Sequence, residues 1–158
     1  MRRFLLLFVL LAATCTAYAA PQVIRCGDSD TVVINAQSVS KPFFTLSFSS
    51  PKSTKLYQLS AENEFLKVRC DKKASGAWVV LFLHTCGGTS CNEDSNFGII
   101  DAVTGELLLE AGQSLNGNAA QAKKIMGKEV EPFTCMIEEH EGSNSKGEIC
   151  FSSEIELG

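Results

Sequence analysis

Hydrophobic and polar positions alternate with period two in several segments of this chain, and that pattern predicts strands. Phe43 to Ser49 places Phe44, Leu46 and Phe48 on one face and Phe43, Thr45, Ser47 and Ser49 on the other. Phe65 to Cys70 sets Leu66, Val68 and Cys70 opposite Phe65, Lys67 and Arg69. Val23 to Cys26, Thr31 to Ala36 and Leu56 to Leu59 read as further short strands. Gly27-Asp28-Ser29-Asp30 and Ser50-Pro51-Lys52-Ser53 are the turns that punctuate them. The alternation stops at Trp78 to Leu83 (WVVLFL), a continuous β-branched and aromatic run that predicts a strand buried on both faces. Phe97 to Ile100 and Leu107 to Leu109 flank Asp101-Ala-Val-Thr-Gly105, where Asp and Gly stand as a tight hairpin requires.

One segment switches to helical signals. Asn118 reads as an N-cap, Gln121 follows three residues later as in a capping box, and Gly127 closes the end. Lys123 and Lys124 fall in the last turn, where they complement the helix dipole. Pro132 to Ile137 and Gly147 to Leu157 are read as the last strands. The expected fold is mainly β, a single antiparallel, sandwich-like domain with one short helix, braced by disulfides.

The N-terminus sets the expected compartment. Arg2 and Arg3 precede an apolar run from Phe4 to Ala13, and Ala17-Tyr18-Ala19 has the small-x-small form of a cleavage site. Residues 1–19 are therefore expected to be a signal peptide and 20–158 the mature, periplasmic domain, with secretion outside the cell as the alternative. No stretch predicts a membrane span. Loss of Arg2 and Arg3 leaves 12 Lys+Arg against 18 Asp+Glu, a mature net charge of −6. Such a surface repels phosphate backbones, so no nucleic acid is expected as partner.

The signal would also remove Cys15. Cys26, Cys70, Cys86, Cys91, Cys135 and Cys150 remain, an even number that reads as disulfides in an oxidising compartment. Of the 15 pairings six cysteines allow, local geometry favours Cys86–Cys91 across a Gly-Gly turn and Cys135–Cys150 across a hairpin, leaving Cys26–Cys70.

Candidate chemistry is sparse. His84 stands two residues from Cys86, but a nucleophilic cysteine needs a free thiolate, and a bridge removes it. Cys86-x4-Cys91 is wide for zinc, and oxidation would abolish those ligands. Asn92-Glu93-Asp94-Ser95-Asn96 lacks the alternation and terminal Glu of a calcium loop. His140, set among Glu138, Glu139 and Glu141, reads as a solvated turn. Glu154 and Glu156 alternate with Ile155 and Leu157 like the wet face of a strand. Trp78 is the one candidate platform for a sugar ring and reads more simply as core. The expectation is no catalytic residue, no cofactor and no metal.

Two loops remain. Cys86 to Asn96 is stiffened if bridged, and Ala111 to Asn118 (AGQSLNGN) carries Ser114 and Leu115 at its expected tip. The segment CGGTSCNEDSNFGIIDAVTGE looks like segments of small exported proteins of Gram-negative bacteria. In plan the chain resembles periplasmic inhibitors of cell-wall-cleaving enzymes, including lysozyme inhibitors and immunity proteins against type VI secretion amidases. That resemblance implies a protruding loop that plugs the enzyme's cleft. It nominates Gly112, Gln113, Ser114, Leu115 and Asn116, with the Ser114 hydroxyl offered to a catalytic Cys or His. A structural or assembly component of the envelope and a thiol-dependent enzyme are the alternatives.

Overall fold

A computed structural model describes residues 22–27, 30–38, 41–50, 52–60, 64–86, 95–111, 117–134, 142–143 and 147–152. The elements in chain order are β1 (Gln22–Cys26), β2 (Asp30–Ser38), β3 (Lys41–Ser50), β4 (Ser53–Ser60), β5 (Glu64–Lys72), β6 (Trp78–Cys86), β7 (Phe97–Asp101), β8 (Leu107–Leu109), α1 (Ala119–Met126), β9 (Gly142–Ser143) and β10 (Ile149–Ser152). They form two antiparallel sheets, one of order β1-β2-β3-β4 and one of order β8-β7-β6-β5-β10-β9.

The residue patterns explain the layering. Ile24, Cys26, Leu46 and Phe48 of the first sheet meet Leu66, Val68, Val80, Phe82, Ile100 and Ile149 of the second in one apolar core. On the far face of the six-stranded sheet, Val79, Leu81, Leu83, Phe97 and Ile99 pack under Ala122 and Met126 of α1. Sheet, sheet and helix thus make three layers, and β6 and β7 lie in the middle one. That position explains the unbroken apolar run at Val79 to Leu83, since neither side of the pleat sees water. Close packing reaches the backbone at Gly98, opposite Phe82 in the ladder. A Cβ there would fall 2.0 Å from the Phe82 ring.

The β7–β8 connection follows the expected hairpin. The Asp101 carboxylate accepts hydrogen bonds from the amides of Val103 and Thr104, both at 2.9 Å, and from the Thr104 hydroxyl at 3.2 Å. Gly105 has φ +67°, and a Cβ there would strike Phe48 at 2.4 Å, so the turn and the inter-sheet core both require glycine. Partial burial works to raise the Asp101 carboxyl. The amides of Thr104 and Val103, the Thr104 hydroxyl and the nearby Lys73 charge outweigh it and hold the group below its ordinary value. A folded-state pKa below the unfolded one adds stability above the unfolded value, and that stability is lost as pH falls through the folded one. The melting temperature of the parent should therefore exceed that of Asp101→Asn at neutral pH. The gap should close in acid, below about pH 4, the ordinary carboxylate range. A pH-independent gap would mean that the carboxylate charge contributes nothing to the turn.

Three details depart from the pattern. Arg69, on the polar side of the β5 alternation, is only 8 % exposed. Residues 131–134 form no strand where Pro132 was expected to open one. Their carbonyls are taken instead by Arg69, which donates to Glu131 O and, at 3.1 Å, to Pro132 O. Trp78 is not core. It lies at the solvent end of β6, 36 % exposed, with the Lys72 ammonium 4.3 Å from its ring centre. A Cβ at Gly27 would come within 2.9 Å of the same indole. An indole so occupied is a poor sugar platform.

Candidate partner-binding end of the sheet

Antiparallel register decides which connections share an end. Leu83 pairs with Phe97, so the β6–β7 connection leaves from the end of the six-stranded sheet where β7 begins. Ile99 pairs with Leu109, so the chain leaves β8 at that same end on its way to α1. Glu64 pairs with Cys86 and Phe65 with Ser152, bringing the start of β5 and the end of β10 there too. The two loops singled out in the sequence, 86–96 and 111–118, are therefore rooted side by side. That juxtaposition was not readable from their composition.

Asn118 builds the root. It occupies the N-cap position of α1, but its side chain makes no hydrogen bond to the helix. Its Oδ1 accepts the Phe97 amide at 2.8 Å, while Nδ2 donates to Phe97 O at 2.7 Å and to Glu110 O at 3.1 Å. One carboxamide thus pairs with both backbone groups of the first β7 residue and also holds the residue that follows β8. The Asn118 amide donates to Ser95 O at 2.9 Å, tying the end of the first loop to the end of the second. Gly117, at φ +63°, lies so close that a Cβ would meet Ser95 Oγ at 2.0 Å. The capping box is absent in its side-chain form, because the Asn118 amide group is committed to the sheet. The αL residue Gly127 does close the helix, donating to Lys123 O at 2.8 Å.

The loop nominated as the contact, Gly112 to Asn116, lies outside the described residues, as do Cys91, Cys135, His140, Glu154 and Glu156. What is described is the clamp at the loop's mouth, which joins Glu110 to Asn118, eight positions apart.

The cysteines divide in the same way. Cys26 and Cys70 form a disulfide, with their Cα atoms 5.3 Å apart, that joins β1 of one sheet to β5 of the other. Cys150 is disulfide-bonded as well. The Cys135–Cys150 and Cys86–Cys91 pairings both reach beyond the described residues. His84, which sequence proximity set beside Cys86, is 5 % exposed and directly opposite Leu66 in the ladder. It lies buried within the ladder of the six-stranded sheet. No group of three or more metal-ligating side chains occurs among the described residues, and no helix there is long and apolar enough to cross a membrane.

A second polar cluster was missed altogether. Glu148 is fully buried, and its Oε1 accepts Arg69 Nη1 at 2.9 Å. Its Oε2 accepts both the amide and the hydroxyl of Thr134, each at 2.9 Å. The Arg69 guanidinium sits 4.5 Å from the Phe133 ring centre. Asp71, Lys128, Glu129 and Glu131 complete the walls of a depression of about 250 Å³ beside the pair. Both carboxylate oxygens of Glu148 and both terminal nitrogens of Arg69 are committed within the fold. The pair straps residues 131–134 to β5.

No protein-family model, no curated protein and no solved structure matches the chain.

Proposed function

We propose that the chain is an exported binding protein that inhibits or neutralises a cell-wall-degrading enzyme, an amidase or a lysozyme, by presenting the 112–116 loop to the enzyme's cleft. The observation that carries the reading is the Asn118 clamp. A surface loop binds well when little conformational entropy remains to be lost on docking, at about 0.5–1.5 kcal/mol per ordered side chain. The ends of this loop are fixed to β7 and to the residue after β8, and the neighbouring 86–96 connection is rooted beside it. Two loops rooted side by side suit a protein partner. The acidic balance favours a basic enzyme.

A pull-down of the mature chain against a panel of lysozymes and amidases tests this. A one-to-one complex that abolishes hydrolase activity is expected. Ser114→Arg or Leu115→Asp should dissolve the complex. Asn118→Ala should weaken it through the association rate and loop order while the chain stays folded. Complexes that survive both tip variants would move the contact elsewhere. Recovery of envelope machinery with no hydrolase would replace the inhibitor reading with that of an envelope-assembly component.

A further inference from the structure

A sheet edge stands uncovered among the described residues. Among the described residues, β1 has five residues and lies against β5 and β6, tied there by Cys26–Cys70. The edge strands β8 and β9 have only three and two residues, and α1 packs beside β8. The exception is β4. It is eight residues long, pairs with β3 without a register shift from Ser50↔Ser53 to Phe43↔Ser60, and packs extensively on β3 alone. Soluble proteins blunt such edges by shortness, charged side chains, bulges or a covering element. Among the described residues β4 carries only the charge, that of Lys55.

The side chains on this edge are unusual. Tyr57 and Leu59 turn inward against the inter-sheet core. Leu56, on the outer face, is 61 % exposed, the highest exposure of any large hydrophobic described. Thr54, Lys55 and Gln58 are exposed around it.

We infer that β4 pairs antiparallel with β4 of a second copy, about a two-fold axis through Leu56, and continues the four-stranded sheet across the dimer. Residues directly opposite in an antiparallel pair share a face, so a symmetric pairing must match outer residues with outer and inner with inner. With the axis at Leu56, Leu56 meets its own counterpart and Thr54 meets Gln58 on the outer face. On the inner face, Lys55 comes opposite Tyr57, a cation beside an aromatic ring, twice by symmetry. Moving the axis to Tyr57 would set Leu56 against Gln58 and Lys55 against Leu59, an apolar–polar mismatch in both rows. The inward-side Lys55 is the residue that discourages pairing with an arbitrary strand. The strand's own sequence supplies its complement, which is why a second copy is the occupant. The surface is small, so the dimer is a weak, reversible one.

Sedimentation velocity over a concentration series should show a reversible monomer–dimer equilibrium, weakened at least about tenfold by Leu56→Asp, a change of about 1.4 kcal/mol. The register has its own readout. Under mild oxidation Leu56→Cys should cross-link to itself, because opposite Cβ atoms lie about 4.5–5.5 Å apart. Thr54→Cys and Gln58→Cys should each stay uncross-linked alone and cross-link when mixed. The inference is overturned if the chain stays monomeric at every concentration, if Leu56→Asp leaves a dimer intact, or if the three cysteine variants cross-link at equal rates.

Discussion

Glu148→Ala should lower the free energy of unfolding by about 3–5 kcal/mol, the cost of leaving one member of a buried ion pair without its partner. The side chain is wholly out of water, and its removal strands the Arg69 guanidinium, itself only 8 % exposed. Thr134 loses the one acceptor of two hydrogen bonds at the same time. A urea titration with unchanged slope and a lowered midpoint is the expected result. Hydrogen exchange should show the loss locally first, with the Thr134 amide exposed well before those of β6. The double variant Arg69→Leu/Glu148→Leu separates the pair's own contribution from the penalty of an orphaned charge. Apolar replacement of both partners is often neutral or stabilising, so the double variant should recover most of the stability lost in the single one. If both variants unfold alike, the pair is not sealed from solvent and the strap over β5 is held by something else.

That cluster also shows where reading the chain fails and why. The period-two pattern assigned Arg69 to the correct side of β5, opposite Leu66, Val68 and Cys70. Alternation reports a face, however, and not what covers it. The cover comes from residues 131–134, more than sixty positions away, and its irregular backbone follows from Arg69 taking two of its carbonyls. Pro132 looked like a strand start because the local pattern carried no trace of that competition. Trp78 failed for a related reason. It belongs to the apolar run, yet it is the first residue of β6, where Lys72 and Gly27 and not the core surround it.

What was local was legible. The doubly buried β6, the Asp101–Gly105 hairpin and the closing Gly127 each depend on a few adjacent residues, and each stands where those residues predict. Cys26–Cys70 was reached by elimination and is present. At the candidate site the loops were visible as polar, Gly-punctuated segments. Their shared root was not, because register across β6, β7 and β8 is a non-local property. Asn118 carried a signal for a cap, and the same carboxamide proved more useful holding Phe97 and Glu110 together.

Removing the Cys26–Cys70 bridge is expected to cost about 4 kcal/mol, the chain-entropy value for a loop of this length. The two cysteines are 44 residues apart and join different sheets. Their loop encloses β2, β3 and β4, so reduction frees most of the four-stranded sheet in the unfolded ensemble. In the folded state it also frees β1 from β5 and β6, against which it lies. Cys26→Ala/Cys70→Ala should therefore melt well below the parent, and hydrogen exchange should find β1 and β2 opening ahead of β5 and β6. The order carries the argument, because β5 is held from both sides. Cys70 ties its inner face to β1, and Arg69, the neighbouring residue, ties its outer face to Glu148 and the 131–134 strap. Loss of the disulfide should loosen the first sheet while leaving Thr134 protected, and loss of Glu148 should do the reverse. A double-cysteine variant in which both sheets open together would show that the bridge stabilises the whole core and not one sheet's attachment to it.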